Sequence, residues 1–412
     1  MSKIFIYFIF HFCFLYPLSA KTIFVGSKLN ITSIAKALID SNPYDTILVQ
    51  SGHYFEMNIQ ILKPVVLLGI GKPILDGQHT FEVISVRASN VTISGFIIQN
   101  SGVSSIVDYA GIKVYNSNFV NIVGNSILNC FFGIYLQYAS SCRLSNNFIR
   151  ANGLSEQESA NGIHCWYSNH LLINSNSISG HRDGIYFEFV TNTVVKKNAS
   201  KNNIRYGLHF MFSNNDEYSE NIFDNNGSGV AVMFSHHVKM IGNTFQDNWG
   251  DASYGILIKE ITDSKIIRNI FSHNTSGLYI DGASRIKMSN NVFLKNGWGL
   301  KIQANCIEIK VNKNNFIGNT FDVATNGSLV LNDFSSNYWD KYEGYDLDKN
   351  KVGDIPYRPL SLFSLLIERN PSSMIMFRSI ISLLMDRAER FIPSLTPELL
   401  KDESPSMRPI LL

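Results

Sequence analysis

A glycine followed by alternating apolar residues recurs along this sequence at a nearly constant spacing. The stretches begin at residue 111 and read GIKVY, GIYLQ, GIHCW, GIYFEF, GLHFMF, GVAVMF, GILIKE, GLYIDG and GLKIQA. Successive glycines are 22, 29, 22, 23, 22, 26, 22 and 22 residues apart. No helical pattern separates them. A period near 22 with short β-type runs and Asn- or Gly-rich corners predicts an all-β chain folded as a right-handed parallel β-helix.

The two ends of the chain differ from the repeat. Residues 1–20 have an early lysine, an apolar run and a small-residue end, the pattern of a secretory signal peptide; an uncleaved membrane anchor is the alternative. Residues 21–70 contain a short amphipathic helix and a first strand, which would cap the solenoid. We assign 71–335 to the β-helix, 336–370 to an acidic loop and connector, and 371–412 to an amphipathic helix with an extended tail.

Charge and cysteine content argue against a nucleic-acid-binding protein, a disulfide-rich scaffold and a zinc site. With a formal net charge of +2 and no basic stripe, the chain lacks the electrostatic signature of a nucleic-acid partner. The four cysteines that follow the signal peptide are too sparse for a disulfide scaffold and lack zinc-site spacing. We expect core positions for all four: Cys130, Cys142, Cys165 and Cys306.

Side-chain alternation predicts which residues of each stretch face outward. The first and third residues after each glycine should point into the core, and the second and fourth should point out. The first outward column contains Lys113, Tyr135, His164, Tyr186, His209, Ala231, Leu257, Tyr279 and Lys301. The second contains Tyr115, Gln137, Trp166, Glu188, Met211, Met233, Lys259, Asp281 and Gln303. Such an aromatic and sulfur-bearing wall is a candidate site, because water-facing positions are normally small or charged.

Three outward residues on adjacent coils have the chemistry of a soft-metal site. His209, Met211 and Met233 combine one imidazole with two thioethers, which suits Cu(I) better than Mg²⁺, Ca²⁺ or Mn²⁺. His164 lies two coils away, roughly 9–10 Å by strand spacing. It would serve a neighbouring position on a transfer path. The alternative is a hydrophobic docking surface with incidental histidines.

The sequence HRDG at residues 181–184 puts a histidine, an arginine and an acid at the corner before a strand, and Arg205 follows on the next coil. Such a cluster could abstract a proton beside a sugar carboxylate that an arginine holds. We favour the structural alternative, in which an Arg–Asp pair fastens the corner.

The acidic loop in the connector has the oxygen spacing of a calcium loop. Four residues occupy its positions 1, 3, 5 and 9: Asp346, Asp348, Asn350 and Asp354. Lys351 stands in place of the usual glycine at position 6 and Tyr357 in place of the glutamate at position 12, so the loop is not an EF-hand. A Ca²⁺ loop and a plain acidic turn both remain open.

After Pro371, apolar residues recur at 374, 377, 381, 384, 388 and 391, the spacing of one helix face. The segment is too short to cross a bilayer. It predicts docking on a partner or membrane face. Packing back as a lid on the last coil is the alternative.

Several stretches are more specific than a generic repeat. They are NGIHCWYS, GHRDGIYFEFV, RYGLHFMFSNN, NGWGLKIQA and the long segment at 319–371 that begins NTFDVATNGSLVLNDF. Over essentially the whole mature chain, the sequence resembles the NosD family of nitrous oxide reductase maturation proteins. The resemblance implies a periplasmic β-helix protein that is not an enzyme and works with an ABC transporter.

The resemblance also implies partners and cargo. The ATPase and membrane subunits of the transporter would hold the protein at the membrane, a copper chaperone would supply Cu(I), and apo nitrous oxide reductase would receive it in its copper-sulfide centre. Two alternatives stay open: a uronate lyase or epimerase of the wider β-helix superfamily, and a metal-free scaffold that relays transporter motion. The D-P-H motif of the epimerases is absent from the sequence, and no regular Asp column suggests lyase calcium sites.

Overall fold

A computed structural model describes residues 20–104, 106–329, 331–376, 379–391 and 399–411. The predicted signal peptide, apart from Ala20, lies outside this part of the chain. Within it, the strands form three parallel sheets that run along a right-handed solenoid of about 14 turns. The predicted fold class is therefore confirmed.

Each full coil contributes one strand to each sheet. Sheet 1 contains, in stacking order, Thr22–Val25, Thr46–Val49, Val66–Gly69, Thr92–Ser94, Asn121–Val123, Arg143–Ser145, Leu172–Asn174, Val194–Lys196, Glu217–Ser219, Lys239–Ile241, Lys265–Ile267, Lys287–Ser289, Lys310–Asn312 and Asp333–Ser335. Sheet 2 contains Ile59–Ile61, Ile84–Val86, Ala110–Tyr115, Phe132–Gln137, Asn161–Trp166, Asp183–Glu188, Tyr206–Met211, Ser228–Met233, Tyr254–Lys259, Ser276–Asp281, Trp298–Ile302 and Phe321–Ala324. Sheet 3 contains His53–Tyr54, Ile74–Asp76, Ile97–Gln99, Ser126–Leu128, Phe148–Arg150, Ser177–Ser179, Ala199–Lys201, Ile222–Asp224, Thr244–Gln246, Ile270–Ser272, Val292–Leu294, Asn315–Ile317 and Tyr338–Trp339.

The core runs along the solenoid axis and consists of stacked apolar columns. The inward positions predicted from alternation, including Ile163, Cys165 and Phe187, are fully buried. All four predicted core cysteines are buried and free. One inward column is a stack of parallel rings at 4.2–5.3 Å: Phe223, Phe245, Phe271, Phe293, Phe316 and Trp339.

Buried asparagines form hydrogen bonds with the backbone groups at the corner between sheets 1 and 3. In each rung the backbone N–H and the side-chain Nδ2 of one asparagine donate to Oδ1 of the asparagine on the next coil, as from Asn176 to Asn198 at 2.9 Å for both bonds. This ladder contains Asn125, Asn147, Asn176, Asn198, Asn221, Asn243, Asn269, Asn291, Asn314 and Asn337. Because these bonds pair groups that folding buries, the asparagines have a structural role.

Each repeated glycine is the second residue of a sheet 2 strand, where neighbouring coils approach closely. A Cβ atom at Gly229 would lie 2.4 Å from the carbonyl oxygen of Gly255. Any side chain at that position would force the coils apart.

A short helix covers the first coil, as the sequence predicts. Ser33 is the N-cap of helix α1 (Ile34–Asp40), and its side chain accepts a hydrogen bond from the amide of Lys36. The carboxylate of Glu56 accepts the first helical amides, at 2.8 Å from Ile34 and 2.9 Å from Ala35. Helix α1 buries its apolar face, including Leu38, against the core.

The C-terminal region contains more helix than the sequence pattern indicates. Helix α2 (Leu362–Arg369) lies in the segment predicted as a connector, and a 3₁₀ turn (Pro371–Met376) and helix α3 (Ile380–Phe391) follow. Residues 399–411 return to the last coil, where Leu400 is buried. In the described part of the chain, no helix is both long and apolar enough to cross a membrane.

Candidate functional site

The outward face of sheet 2 has the composition and register that alternation predicts. His164 pairs in register with Tyr186, and Tyr186 with His209. In the next column Met211 pairs directly with Met233. We call the outward face of these coils the wall.

Aromatic rings fill the first column of the wall and keep its histidines apart. The His164 ring stacks on Tyr186 at 4.8 Å, and Tyr186 meets His209 edge-on at 5.0 Å. His164 and His209 therefore contact the same tyrosine from opposite sides. They cannot share one metal ion while that ring stands between them.

His164 is held as a neutral imidazole. Arg182 donates to Oδ1 of Asn161 at 3.2 Å, so Nδ2 of Asn161 faces Nδ1 of His164 at 2.8 Å. Nδ1 therefore accepts, and the proton resides on Nε2. Burial lowers the pKa of His164 to about 3, with smaller contributions from Arg182 and Lys113. A metal ion at Nε2 would require the other tautomer and the loss of the Asn161 bond.

His209 differs from His164 in the hydrogen bonding of its ring. It is 7% exposed, and neither ring nitrogen has a hydrogen-bond partner among the described residues. Tyr206 and Tyr186 cover its ring, and its Nδ1 lies 3.9 Å from Oδ2 of Asp183. A buried imidazole without a partner is costly, so a ligand that used its lone pair would stabilise the site.

The two methionines complete a donor set that is soft in character. Sδ of Met211 lies 3.9 Å from the hydroxyl of Tyr186, which places the thioether beside the ring that His209 contacts. Met233 is one rung further along and, like Met211, half-buried. Among the described residues no three His, Cys, Asp or Glu side chains are grouped closely enough for a metal ion. A metal site with three protein ligands at His209 would need donors of another type, such as the methionine sulfurs.

The HRDG corner is built mainly as a structural cluster. Asp183 is fully buried and is contacted by Nε of Arg182 at 3.4 Å and by the amide of Tyr206 at 3.3 Å. His181 is also fully buried, with Nδ1 3.0 Å from the Ser159 hydroxyl, and burial lowers its pKa to about 3. These contacts agree with the favoured interpretation of the corner.

The structure brings the four predicted calcium-loop residues into one exposed loop. Asp346 and Asp348 accept hydrogen bonds from the amide of Asn350 at 3.0 and 3.2 Å, and Asp354 accepts from the amide of Leu347 at 2.7 Å. Partial burial acts to raise the pKa of Asp346, but hydrogen bonds from the amides of Lys351 and Asn350 hold that pKa below its usual range. The carboxylates already serve as turn caps, so calcium binding stays a prediction.

Sequence reasoning missed two features of the wall. The last coils of sheet 2 are covered by α2, because Phe363 and Ile367 pack on Trp298 and Phe321. The other feature is an aromatic residue five positions after the motif glycine in five consecutive coils: Tyr138, Tyr167, Phe189, Phe212 and Phe234. This regular spacing is visible in the sequence alone and could have indicated an aromatic column.

Comparison with known proteins agrees with this architecture. Residues 23–160 match the family described as right handed beta helix region, and residues 145–344 match the family described as periplasmic copper-binding protein (NosD). A probable ABC transporter binding protein NosD from Pseudomonas aeruginosa is 26% identical over 353 residues, which cover 81% of this chain and 82% of that protein.

Solved structures share the fold at low identity. The A-module of the mannuronan C-5 epimerase AlgE4 from Azotobacter vinelandii superposes with a TM-score of 0.59 at 12% identity, covering 68% of this chain and 88% of that one. The Dettilon tailspike protein gives 0.58 at 12% identity, covering 70% and 64%. Fold and repeat thus define a right-handed parallel β-helix protein. Within that class the chain is a NosD-like protein, as its sequence motifs indicate.

Proposed function

We propose that this protein handles Cu(I) in the periplasm for the copper-sulfide centre of nitrous oxide reductase. A copper chaperone supplies the ion, apo nitrous oxide reductase receives it, and the ATPase and membrane subunits of an ABC transporter hold the protein at the membrane. The NosD-like sequence supports this proposal, and so does the description of the matched family as periplasmic and copper-binding.

The observation that carries the proposal is the arrangement of His209 beside Met211 and Met233. Thioether and neutral imidazole are ligands that Cu(I) prefers over harder donors. The buried His209 nitrogens have no competing partner in the described structure, whereas Nδ1 of His164 is already engaged by Asn161. We therefore assign capture of Cu(I) to His209, Met211 and Met233, and a neighbouring transfer position to His164.

Anaerobic Cu(I) titration of the protein without its signal peptide, against a competing chelator, tests this assignment. The double variant Met211→Leu/Met233→Leu preserves side-chain volume and should cost little stability. We expect it to bind Cu(I) at least tenfold more weakly and to yield reductase deficient in its copper-sulfide centre. The matched control, Met240→Leu/Met288→Leu, alters two core methionines and should leave Cu(I) affinity unchanged.

Equal Cu(I) affinity in the wild type and the wall variant, with normal reductase maturation, would refute the metal-wall assignment. The metal-free scaffold would then be favoured. Its signature is maturation that needs the protein and the transporter while the protein itself binds no stoichiometric copper.

We assign docking on the transporter to the C-terminal helices. The relative's name, ABC transporter binding protein, supports a transporter association. Helix α3 exposes Ile380, Ile381 and Leu384 at 76%, 54% and 60%, while the adjacent Met385 packs against the cluster around α2. The first half of α3 therefore exposes apolar side chains, which suits an apolar partner surface.

Point variants test this docking better than removal of the whole tail, because residues 399–411 pack on the last coil. Ile380→Ser/Ile381→Ser/Leu384→Ser should abolish co-purification with the transporter subunits. Ile39→Ser/Leu62→Ser, two exposed apolar residues at the other end of the chain, serve as the matched control. Retained co-purification of the triple variant would assign docking to the coils.

One observation favours a second candidate function, a uronate lyase or epimerase. Nδ1 of His209 lies 3.9 Å from Oδ2 of Asp183, and a carboxylate that approaches an imidazole more closely can make it a general base. Both side chains are buried, however, so a polymer could not contact them without movement of Tyr186 or Tyr206. Depolymerisation or epimerisation of oligomeric uronates by the purified protein, lost in Asp183→Asn, would establish this function.

A further inference from the structure

A column of lysines runs along the outer face of sheet 1 in the second half of the solenoid. Each lysine pairs in register with the lysine of the next coil, and the column consists of Lys239, Lys265, Lys287 and Lys310. All four are exposed, and their backbones are about 4.8 Å apart from coil to coil. Like charges directly opposite one another on adjacent strands destabilise a sheet. The lysine column therefore opposes folding.

The fold does not require lysine at this strand position. In earlier coils the same column holds Thr92, Asn121, Arg143, Leu172 and Val194. Lys239 forms an ion pair with Glu217 of the preceding coil at 3.8 Å. Within the described part of the chain, no carboxylate lies within 4.0 Å of the amines of the other three, Lys265, Lys287 and Lys310. Three consecutive positive charges are thus left without a protein partner.

These three lysines line one groove. Its cavity volume is about 740 Å³, and Arg285, Glu308 and Asp333 also line it. From Lys265 to Asp333 the groove crosses four coils, which is about 14 Å along the solenoid axis at about 4.8 Å per coil. Cavities of about 300–1,000 Å³ are those in which proteins bind small ligands. The three amines therefore face a space of the right size for one ligand.

The corner that borders the groove is fixed by an ion pair. Nε and Nη2 of Arg285 donate to the two carboxylate oxygens of Asp263 at 2.6 and 2.7 Å, so Asp263 does not neutralise the lysines. Glu308, on the next coil, is exposed, and no described residue forms a hydrogen bond or ion pair with its carboxylate. The groove thus offers three ammonium donors and one unengaged carboxylate acceptor.

This combination of donors and acceptors indicates the class of ligand. One ammonium group per coil suits a chain with one anionic group per repeat, and an unengaged carboxylate suits hydroxyl donors on the same ligand. A uronate oligosaccharide has both, because each ring carries one carboxylate and several hydroxyls. One sugar ring is also similar in length to the spacing between coils. Polyphosphate has no hydroxyls along its chain, and Glu308 and Asp333 would repel its denser charge.

Two other anionic partners fit the groove less well. An extended acidic peptide places the side chains of one face about 6.7 Å apart, so it would lose register with lysines about 4.8 Å apart. An anionic membrane has a flat surface, which cannot fill a groove.

We propose that the groove binds a uronate oligosaccharide along the solenoid axis, with its carboxylates on Lys265, Lys287 and Lys310. The hydroxyls of the sugar rings donate to Glu308. The groove lies on sheet 1, whereas the wall lies on sheet 2. The proposal therefore goes beyond the copper function and does not depend on it.

Isothermal titration calorimetry of the mature full-length chain with tetragalacturonate at low salt tests this site. The groove variant Lys265→Gln/Lys287→Gln/Lys310→Gln should bind at least about tenfold more weakly than the wild type. It should fold, because it replaces exposed side chains and removes like-charge repulsion. Methyl-esterified tetragalacturonate, which keeps the hydroxyls but lacks the charges, should also bind at least about tenfold more weakly.

The matched control is Lys28→Gln/Lys36→Gln/Lys72→Gln, which removes the same charge from exposed lysines near the N-terminal end and should leave the affinity unchanged. Four results would overturn the proposal. They are no binding of tetragalacturonate by the wild type, equal affinity of the wild type and the groove variant, equal weakening by the control variant, and tighter lysine-dependent binding of inorganic polyphosphate or of phosphatidylglycerol vesicles than of tetragalacturonate.

Discussion

The carboxylate of Asp402 closes the open end of the asparagine ladder, and replacing it should destabilise the last coils. Oδ2 of Asp402 accepts from the amide and from Nδ2 of Asn337 and from Nε1 of Trp339, each at 3.0 Å. Oδ1 accepts from the amides of Ser336 and Ser404, both at 3.1 Å. Asp402 is fully buried, so it occupies the place that the next asparagine would have.

The magnitude follows from the donors that would lose their acceptor. Asp402→Ala removes the acceptor of four solenoid N–H groups, three buried ones on Asn337 and Trp339 and a partly buried one on Ser336. Each buried donor left unpaired costs about 1–3 kcal/mol. Water will enter the gap and relieve part of this cost. We therefore expect a loss of about 3–5 kcal/mol in the free energy of opening the last coils. Asp402→Asn keeps one acceptor oxygen and should lose less.

Hydrogen exchange with mass spectrometry is the appropriate assay, because a solenoid opens locally rather than in one step. The variant Asp402→Ala should lose protection in residues 310–339, while coils before residue 250 keep theirs. Glu403→Ala, one residue further along and exposed, is the matched control. Wild-type protection of 310–339 in Asp402→Ala would show that the carboxylate does not close the ladder.

Three further outcomes are expected. Burial raises the pKa of Asp216 to about 8, so the folded protein keeps a proton that the unfolded chain releases near pH 4. The free energy of unfolding should therefore fall as the pH rises from about 4 to 8, by at most about 1.4 kcal/mol per pH unit. Asp216→Asn should flatten this pH dependence in denaturant titrations. If the loop at 346–354 binds Ca²⁺, millimolar CaCl₂ will raise its resistance to proteolysis, and Asp346→Asn/Asp348→Asn will remove that effect; equal cleavage rates would identify a plain turn. Gly229→Ala should prevent close stacking on Gly255 and lower the melting temperature by several degrees, whereas Gly250→Ala, whose Cβ would meet nothing closer than 3.5 Å, should not.

The fold and the direction of the wall residues were accessible from the sequence for a simple reason. Strand side chains alternate with a period of two, and the motif glycine sets the register of each coil on the next. Once the glycines were aligned, the outward positions of His209, Met211 and Met233 followed, and the observed pairing agrees. Local pattern was enough there because the strand pairing that aligns the columns of the wall is between neighbouring coils.

Contacts that do not repeat could not be predicted in the same way. The isolation of the His209 nitrogens depends on how the rings of Tyr186 and Tyr206 are oriented. The tautomer of His164 depends on Asn161 and Arg182 on two different coils. Neither arrangement repeats from coil to coil, so neither appears as a periodic pattern in the sequence. The sequence therefore indicated which residues share a face but did not separate the engaged histidine from the unpartnered one.

The architecture limits how a transporter could act on the wall. Each wall strand is hydrogen-bonded to a coil on both sides, so the site cannot open without breaking several pairings at once. Helix α2 packs on Trp298 and Phe321 at the end of the same sheet, and Glu368 of α2 forms an ion pair with Lys301 of the wall's first column. A force applied through α3 would thus reach the solenoid at its C-terminal end and move it as one body. Motion of that kind would change the distance between the wall and a docked acceptor while the geometry of His209, Met211 and Met233 stayed the same.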